Sequence, residues 1–307
     1  MLNINMKKLL VTGANGLLGQ NVVKQLANQN NYEVYASARG ECRFNLPEGI
    51  NYVQLDLTSE ESLSKAFNDI QPDLVIHTAA MTNVDKCEQE KEECWKINVV
   101  ATENIIKAVK SQDAYLVNVS TDFVFDGEDG PYVETDKPNP VSYYGESKLK
   151  GEELCEQYGI RYSTVRTIIV YGVVDNMSRS NLVLWTKKSL ENKQDIKVIN
   201  DQFRSPTWAG DLAWACIKLA ELEKEGIYHI SGETTKSIYE WVEEVVEYFD
   251  LDDQYISPVS SADLNQPAKR PPKTGFDISK AKQDLGFSPK TFKEGIAEMM
   301  YLIDNQS

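Results

Sequence analysis

The first 120 residues of the chain alternate short apolar runs with longer amphipathic stretches. The apolar runs lie at residues 7–12, 32–38, 52–57, 72–80 and 114–119. Nearly continuous apolar runs of this length are typical of parallel strands buried on both faces, and amphipathic stretches between them are typical of helices. The pattern therefore predicts an α/β fold with a Rossmann-like, doubly wound parallel sheet.

The pattern becomes less regular after residue 172. It predicts two further strands, at 196–199 and 227–230, and helices at 177–192, 211–222, 238–248, 279–285 and 292–303. We expect a dinucleotide-binding domain formed by residues 1–172 and 203–231. A smaller, mainly helical substrate-binding lobe is expected from residues 173–202 and 232–307.

Composition and charge limit the kinds of molecule that the chain is expected to bind. The 307 residues include 47 acidic and 32 basic side chains, which gives a net charge of -15. So acidic a chain repels nucleic acid and anionic membranes, and no apolar run approaches the ~18 residues needed to span a bilayer. The five cysteines form no C-x-x-C pattern, so we expect neither disulfides nor a zinc site. These features fit a cytoplasmic protein.

A glycine-rich turn follows the first predicted strand. Gly13, Gly16 and Gly19 are spaced G-x-x-G-x-x-G and lead into an amphipathic stretch. Glycines let the backbone turn tightly beside a pyrophosphate, while the free amides and dipole of the following helix attract the anion. The alternative is a glycine-rich turn that binds nothing. We expect dinucleotide contacts from Gly13, Asn15, Gly16, Leu17, Leu18 and Gly19.

The second predicted strand ends at Arg39 rather than at an acidic residue. An acidic side chain there would hold the ribose 2′-hydroxyl of NAD, whereas Arg39, alone or together with Arg43, would meet the 2′-phosphate of NADP. The sequence therefore favours NADPH as cofactor, with NADH as the alternative. Glu41 nearby weakens this distinction, and an exposed loop arginine is the other interpretation of Arg39.

Tyr144 and Lys148 lie four residues apart in a segment that we expect to be helical. Side chains at this spacing share a helix face, so the ammonium would favour phenolate and lower the pKa of Tyr144. A phenol tuned in this way can exchange a proton with a substrate. Ser120 and Thr121 place hydroxyl groups at the end of a strand, where parallel sheets bind ligands. The alternative is an exposed tyrosine beside a solvated lysine.

These motifs resemble the extended short-chain dehydrogenase/reductase superfamily, and within it the dTDP-4-dehydrorhamnose reductase family of sugar-nucleotide reductases. The shared features are the Thr-Gly-x-x-Gly-x-x-Gly start, the Ser-Thr-Asp strand end and Tyr-x-x-x-Lys. The resemblance extends from about residue 7 to the C-terminal helix. Besides the glycine turn, it rests on residues 77–88, 119–127, 131–134, 144–152, 166–167, 171–172, 201–202 and 206–207.

The resemblance implies reduction of a 4-keto group on a nucleotide-linked 6-deoxyhexose, with NADPH as hydride donor. Tyr144 would donate a proton to the developing alkoxide, Thr121 would hydrogen-bond that oxygen, and Lys148 would hold the nicotinamide ribose. Ser120 is a second candidate for the hydroxyl role. Phe123 stands where related dehydratases have a glutamate, which favours reduction over dehydration.

The resemblance also implies further cofactor contacts. Asp56 matches a residue that contacts adenine, although it could instead help to cap the next helix. Asparagine is unfavourable inside a helix, so Asn98 is expected to make a specific hydrogen bond, with a surface position as the alternative. The additional cofactor residues are Asp56, Leu57, Ala79, Ala80, Asn98, Tyr144 and Lys148.

On the substrate side we expect contacts from Thr82, Val84, Asp122, Phe123, Arg204 and Arg270. The two arginines would meet a diphosphate in this acidic protein, or they are ordinary surface residues. Met81, Ile169 and Arg204 depart from the family pattern near the sugar, which leaves the identity of the deoxysugar open. Asn21 replaces the glutamate through which some family members bind a metal between subunits, so we expect no metal.

Two other functions stay open from the sequence. The same pattern resembles the regulatory subunit of methionine adenosyltransferase, which acts through contact with another protein. An epimerase would use the same cofactor site without net consumption of cofactor. The complete set of Thr121, Tyr144 and Lys148 favours catalysis. The nucleotide, the sugar and the oligomeric state are left open, with a homodimer among the arrangements.

Overall fold

The computed structural model describes residues 6–29, 31–177 and 179–305. Its strands are β1 Lys7–Thr12, β2 Tyr32–Ala38, β3 Asn51–Gln54, β4 Leu74–His77, β5 Tyr115–Thr121, β6 Arg161–Thr167, β7 Val170–Tyr171, β8 Ile196–Ile199, β9 Phe203–Arg204, β10 Thr207–Trp208, β11 Gly226–Ile230, β12 Lys236–Ser237 and β13 Ile256–Val259. Its α-helices are α1 Leu17–Ala27, α2 Glu60–Ile70, α3 Val84–Gln89, α4 Lys91–Trp95, α5 Ala101–Ser111, α6 Tyr143–Tyr158, α7 Leu182–Glu191, α8 Ala209–Leu222, α9 Ile238–Phe249, α10 Ser279–Leu285 and α11 Phe292–Asp304. None of the helices in these ranges is both long and apolar enough to cross a lipid bilayer.

Seven parallel strands form the central sheet, in the order β11-β6-β5-β4-β1-β2-β3. From β1 the chain moves to one edge through β2 and β3, and it then returns to β4 and builds the other half. Strand order therefore reverses between β1 and β4. In open parallel sheets the carboxyl ends of strands at such a reversal frame a ligand-binding crevice.

Both faces of the sheet are covered by helices. Leu9 and Val11 pack into one core with α1 and α8, whereas Leu10 packs into the other core with α2 and α5. All three side chains are fully buried. Successive side chains of a strand point to opposite faces, so a strand covered on both sides needs consecutive apolar residues. The doubly wound fold class predicted from the apolar runs is confirmed.

A second, smaller core lies beside the sheet. Trp241 and Val245 of α9 pack there with Ile296 of α11, Val183 of α7 and Tyr171 of β7. Two-stranded ribbons pair β8 with β13 and β9 with β12. These elements come mainly from residues 173–202 and 232–307, so we retain the division into a dinucleotide-binding domain and a substrate-binding lobe as a proposal.

Helix α10 does not fit the sequence-based division. Ala281 and Leu285 of α10 are buried in the core of the large sheet, together with Tyr228 of β11 and residues of α8. The expectation that the segment 279–285 belongs to the smaller lobe is therefore wrong. The helix is short, and its position follows from the strand it packs against rather than from its own pattern.

Several element boundaries differ from expectation, and a side-chain cap explains one of them. The helix expected at 177–192 begins at Leu182, since the side chain of Asn181 accepts a hydrogen bond from the amide of Leu184. The strand expected at 52–57 ends at Gln54. The long helix around Asn98 is interrupted by a π-helical turn, Lys96–Val100.

Candidate active site

A cleft of about 280 Å³ opens at the carboxyl ends of β1, β2, β3 and β4, beside the point where strand order reverses. Its lining includes the predicted cofactor residues Gly13, Asn15, Gly16, Arg39, Asp56, Leu57, Ala79 and Ala80. Leu17, Leu18 and Gly19 follow in the first turn of α1, outside the lining. The fold therefore brings segments from four strand ends around one crevice.

Gly13 is required both by backbone conformation and by packing. Its φ is +72°, and a β-carbon at this position would lie 2.6 Å from the amide nitrogen of Ala79. No side chain caps the N-terminus of α1 at Gly16. The backbone can therefore approach a ligand closely, and the positive end of the helix dipole is left for an anion.

Asn15 shapes the loop after β2. Its side-chain Nδ2 donates to the carbonyl oxygen of Glu41 at 2.9 Å, and its Oδ1 accepts from the backbone amide of Arg43 at 2.9 Å. These bonds occupy both ends of the side-chain amide. We therefore interpret Asn15 as a residue that fixes the rim of the cleft next to Arg39.

Asp56 presents an ionised carboxylate to the cleft. Its Oδ1 accepts from the amide and the hydroxyl of Thr58 at 2.9 and 2.8 Å. These bonds, with a smaller contribution from the charge of Arg39, lower the pKa of Asp56. The side chain of Ser59 caps α2 by accepting from the amide of Ser62 at 3.2 Å. The alternative in which Asp56 caps this helix is therefore wrong.

Asn98 links backbone segments and does not line the cleft. Its Oδ1 accepts from the amide of Met81 at 2.7 Å, and its Nδ2 donates to the carbonyl of Met81 at 3.1 Å and to Ser147 Oγ at 3.0 Å. Ser147 Oγ in turn donates to the carbonyl of Tyr144 at 2.7 Å. The expected specific hydrogen bond exists, but it positions the segment after β4 against α6 in place of a direct cofactor contact.

Tyr144 and Thr121 lie together where β5 ends and α6 begins. Ser142 caps α6 by accepting from the amide of Gly145 at 3.2 Å, which places Tyr144 in the first turn. A β-carbon on Gly145 would overlap the carbonyl oxygen of Phe123, so only glycine allows this close approach. The rings of Phe123 and Tyr144 meet edge to face at 5.7 Å between centroids.

The pKa of Tyr144 is raised, which corrects the expectation that Lys148 lowers it. Tyr144 is only 8% exposed, and burial outweighs the opposing hydrogen bond with Thr121. Lys148 is itself buried, and burial lowers its pKa to about 8. At neutral pH Tyr144 is therefore a neutral phenol that retains its proton, and Lys148 is mostly charged. A phenol in this state can donate a proton to an oxyanion.

Ser120 is engaged away from Tyr144. Its hydroxyl donates a hydrogen bond to Glu152 Oε1. Glu152 also accepts from Arg166, with Nε at 3.1 Å and Nη2 at 2.6 Å. All three side chains are buried. Thr121 Oγ1 donates to Asp122 Oδ1 at 3.0 Å, but it also hydrogen-bonds Tyr144, which favours Thr121 over Ser120 as the hydroxyl that accompanies Tyr144.

Arg204 and Asp122 form a buried pair, so we do not retain either as a substrate contact. Each side chain is 2% exposed, and Arg204 Nε lies 3.6 Å from Asp122 Oδ2. The terminal nitrogens of Arg204 donate to the carbonyl oxygens of Phe203, Pro271 and Pro272. Asp122 accepts from Thr274 Oγ1 at 2.5 Å. A diphosphate would have to displace these partners from the protein interior.

Arg270 remains partly exposed at the mouth of the site. Its guanidinium donates to Asp85 at 2.7 and 3.1 Å, and its side chain is 16% exposed. Thr82 lies three residues before Asp85 in the sequence, and its hydroxyl accepts a hydrogen bond from Arg179 at 3.4 Å. Val84 and Phe123 pack around Tyr144. Arg179 was missed from the sequence, because no recognised motif includes it.

His77 is a core residue. Its ring nitrogens lie 2.7 Å from Thr12 Oγ1 and 3.2 Å from Thr102 Oγ1, and burial lowers its pKa to about 3. The ring is therefore neutral at physiological pH. Across the part of the chain that the structure describes, no group of three or more His, Cys, Asp or Glu is placed to hold a metal ion.

Comparison with known proteins places this geometry in a family. The model of the RmlD substrate binding domain family matches residues 6–304. The chain is 30% identical to the dTDP-4-dehydrorhamnose reductase of Aggregatibacter actinomycetemcomitans, over 95% of this chain and 97% of that protein. It is also 30% identical to methionine adenosyltransferase 2 subunit beta of Mus musculus, over 99% of this chain and 91% of that protein.

A solved structure gives the same relationship in three dimensions. The dTDP-4-dehydrorhamnose reductase of Bacillus anthracis, crystallised in complex with NADP, superimposes with a TM-score of 0.84. The two chains are 28% identical, and the match covers 96% of this chain and 99% of that one. The similarity therefore includes both the central sheet and the elements that pack beside it.

Proposed function

Because the chain belongs to the dTDP-4-dehydrorhamnose reductase family, we propose that it reduces the 4-keto group of a nucleotide-linked 6-deoxyhexose with NADPH. The observation that supports this most is the meeting of Thr121 and Tyr144 at the start of α6, with Lys148 one turn further on. Fold alone would not indicate a reaction. A proton donor, a hydroxyl and a buried cation in one place provide the groups that carbonyl reduction needs.

The cleft fits a dinucleotide. Gly13 leaves space that a β-carbon would fill, and the uncapped N-terminus of α1 suits a pyrophosphate. Arg39 lines the cleft beside Asp56, in the place where a 2′-phosphate or a ribose hydroxyl would be recognised. Reduced nicotinamide, when bound, supplies a hydride to the carbonyl carbon.

Residues of the chain stabilise and protonate the oxygen of that carbonyl. Thr121 donates a hydrogen bond to the oxygen, and Tyr144 transfers its phenolic proton to it as negative charge develops. Burial keeps the proton on Tyr144 until the stronger base forms. Lys148 would hold the nicotinamide ribose and place a positive charge near Tyr144. Phe123 and Val84 exclude water from the donor.

NADPH oxidation tests the proposal. With dTDP-4-dehydro-6-deoxyhexose as substrate, we expect the purified chain to consume NADPH and form a deoxysugar nucleotide in equal amounts. The sugar and the nucleotide are varied in parallel. NADPH binding without turnover of any 4-keto sugar nucleotide would contradict the proposed reaction.

That negative outcome would support a second candidate, a non-catalytic NADP-binding regulatory subunit. The observation in its favour is the 30% identity to methionine adenosyltransferase 2 subunit beta over 99% of this chain. The two functions differ in a direct way, because a regulatory subunit would change the kinetics of a partner enzyme without reducing a sugar nucleotide. Addition of the chain to a methionine adenosyltransferase would detect that change.

Arg39 provides a test of cofactor preference. In Arg39→Ala we expect kcat/KM for NADPH to fall by about 10-fold or more, because a charge-assisted hydrogen bond is worth about 1.5–3 kcal/mol. kcat/KM for NADH should change little. Lys65→Ala is the control, since it removes an exposed positive charge of α2 that lies outside the cleft lining. Equal losses with both cofactors would show that Arg39 does not recognise a 2′-phosphate.

The pH dependence of kcat/KM should follow the ionisation of the Lys148 side chain. Its pKa is about 8, so the ammonium is charged below that pH and becomes neutral above it. Tyr144 keeps its proton through this range, because its pKa is raised. We therefore expect kcat/KM for NADPH, which reflects the free enzyme, to be level below pH 8 and to fall at higher pH. A profile that rises above pH 8 would contradict the proposed charge on Lys148.

A further inference from the structure

The ammonium of Lys148 is buried and needs a negative charge nearby. The residue is only 4% exposed. Burial lowers the pKa of Lys148 because the protein interior solvates an ammonium less well than water does. A buried cation without a counter-charge would lose its proton well below neutral pH. The chain must therefore supply an anion if Lys148 is to act as a charged group.

Glu152 is placed to supply this anion. It lies four residues after Lys148 on α6, so the two side chains share a helix face, as do Tyr144 and Lys148. Glu152 is 6% exposed. Its carboxylate is held from two strands, by the hydroxyl of Ser120 on β5 and by the guanidinium of Arg166 on β6. The position of the charge is therefore fixed from outside the helix.

The other titratable groups that face Lys148 are weaker candidates for the negative charge that it needs. Cys155 lies on the same helix, but burial raises its pKa to about 12, so it is a neutral thiol. His77 on β4 is also neutral, because its pKa is lowered to about 3. Cys94 on α4 is the one rival, since a hydrogen bond with Cys87 lowers its pKa. Glu152 nevertheless raises the pKa of Lys148 more than Cys94 does.

We infer that Glu152 is the buried counter-ion that keeps Lys148 charged, and that Ser120 and Arg166 hold the carboxylate of Glu152 in place. Glu152 is a positioning residue, because it acts on the reaction only through Lys148. The inference about charge concerns the free protein. Its consequence for catalysis rests on the proposed reductase function.

The charge of Lys148 can be measured without any reaction. In protein labelled with ¹³C-lysine, the Lys148 Cε resonance is identified by its loss in Lys148→Met and is followed from pH 5 to 11. We expect a midpoint of about 8 in the wild type. In Glu152→Gln the midpoint should fall by about one unit or more, the usual effect of removing an opposite charge at this range.

Glu153→Gln is the matched control. It removes the same charge from the neighbouring position of α6, where Glu153 is exposed and pairs with Lys150. Its midpoint should stay at the wild-type value. Cys94→Ser should lower the midpoint less than Glu152→Gln does. An unchanged midpoint in folded Glu152→Gln, or a larger effect in Cys94→Ser, would overturn the inference.

A second variant covers the case in which Glu152→Gln does not fold. Glu152→Gln combined with Arg166→Gln removes both charges of the buried pair, a change that is often neutral for stability. Loss of the Arg166 cation can only raise the pKa of Lys148, so Arg166→Gln alone is the reference for this variant. The double variant should have a lower midpoint than Arg166→Gln, and equal midpoints in the two would again overturn the inference.

Kinetics provide a separate readout. If the midpoint moves from about 8 to about 7, the charged fraction of Lys148 at pH 7.5 falls about threefold. kcat/KM for NADPH in Glu152→Gln should fall by the same factor at pH 7.5 and recover at pH 6. If the wild type turns over no sugar nucleotide, the proposed function fails while the resonance titration still decides the role of Glu152.

Discussion

Replacing Tyr144 with phenylalanine should lower kcat by on the order of 10²- to 10⁴-fold, the usual contribution of a general acid. The substitution removes the phenolic proton and keeps the ring that packs against Phe123. NADPH binding should change little, because Tyr144 lies outside the cleft lined by the glycine turn. The measurement is steady-state turnover of the 4-keto sugar nucleotide, with NADPH affinity determined separately by fluorescence titration.

Tyr143→Phe is the control for this substitution. Tyr143 precedes Tyr144 on the same helix turn, and its ring contacts Trp95 with centroids 6.1 Å apart. Loss of its hydroxyl should leave kcat within about twofold of the wild type, since that hydroxyl has no hydrogen-bond partner among the described residues and the ring is kept. If Tyr144→Phe behaves like Tyr143→Phe, Tyr144 is not the proton donor.

Arg204→Met should lower the free energy of unfolding by about 3–5 kcal/mol, the cost of leaving one partner of a buried ion pair uncompensated. The substitution leaves Asp122 as an unpaired carboxylate that is 2% exposed. It also removes the guanidinium donor of the Pro271 carbonyl oxygen. The measurement is equilibrium unfolding in urea, which compares the variant with the wild type at neutral pH.

Arg270→Met separates this structural role from diphosphate binding. Arg270 pairs with Asp85 at the surface, so its loss should cost about 1 kcal/mol or less. Its expected effect is instead a higher KM for the nucleotide sugar. If Arg204→Met unfolded like the wild type and raised KM, the original interpretation of Arg204 as a diphosphate ligand would be restored.

Local patterns were sufficient for the sheet and for the spacing of the proposed proton donor and Lys148. Leu9, Leu10 and Val11 are consecutive apolar residues because both faces of β1 are covered, and this requirement is visible in the sequence. Tyr144 and Lys148 share a helix face through spacing alone. Features of this kind depend on a few neighbouring residues and one regular element.

Features set by distant segments could not be predicted in the same way. Arg204 and Asp122 are 82 positions apart in the sequence, yet they form an ion pair in the fold. Because both side chains are buried, they bind each other and not a ligand. The pKa of Tyr144 was expected to fall because Lys148 is near, but burial has the larger effect and raises it. Spacing gives proximity, whereas solvent exclusion depends on how the whole chain packs.

Transfer of deuterium from NADPH is the most direct measurement of the proposed reaction. The wild-type protein is incubated with NADPH that carries deuterium at nicotinamide C4 in the transferred position, together with the 4-keto sugar nucleotide, and the product is analysed by NMR and mass spectrometry. The account predicts one deuterium at C4 of the sugar for each NADPH oxidised. Tight NADPH binding with an unlabelled, unreduced sugar would contradict it.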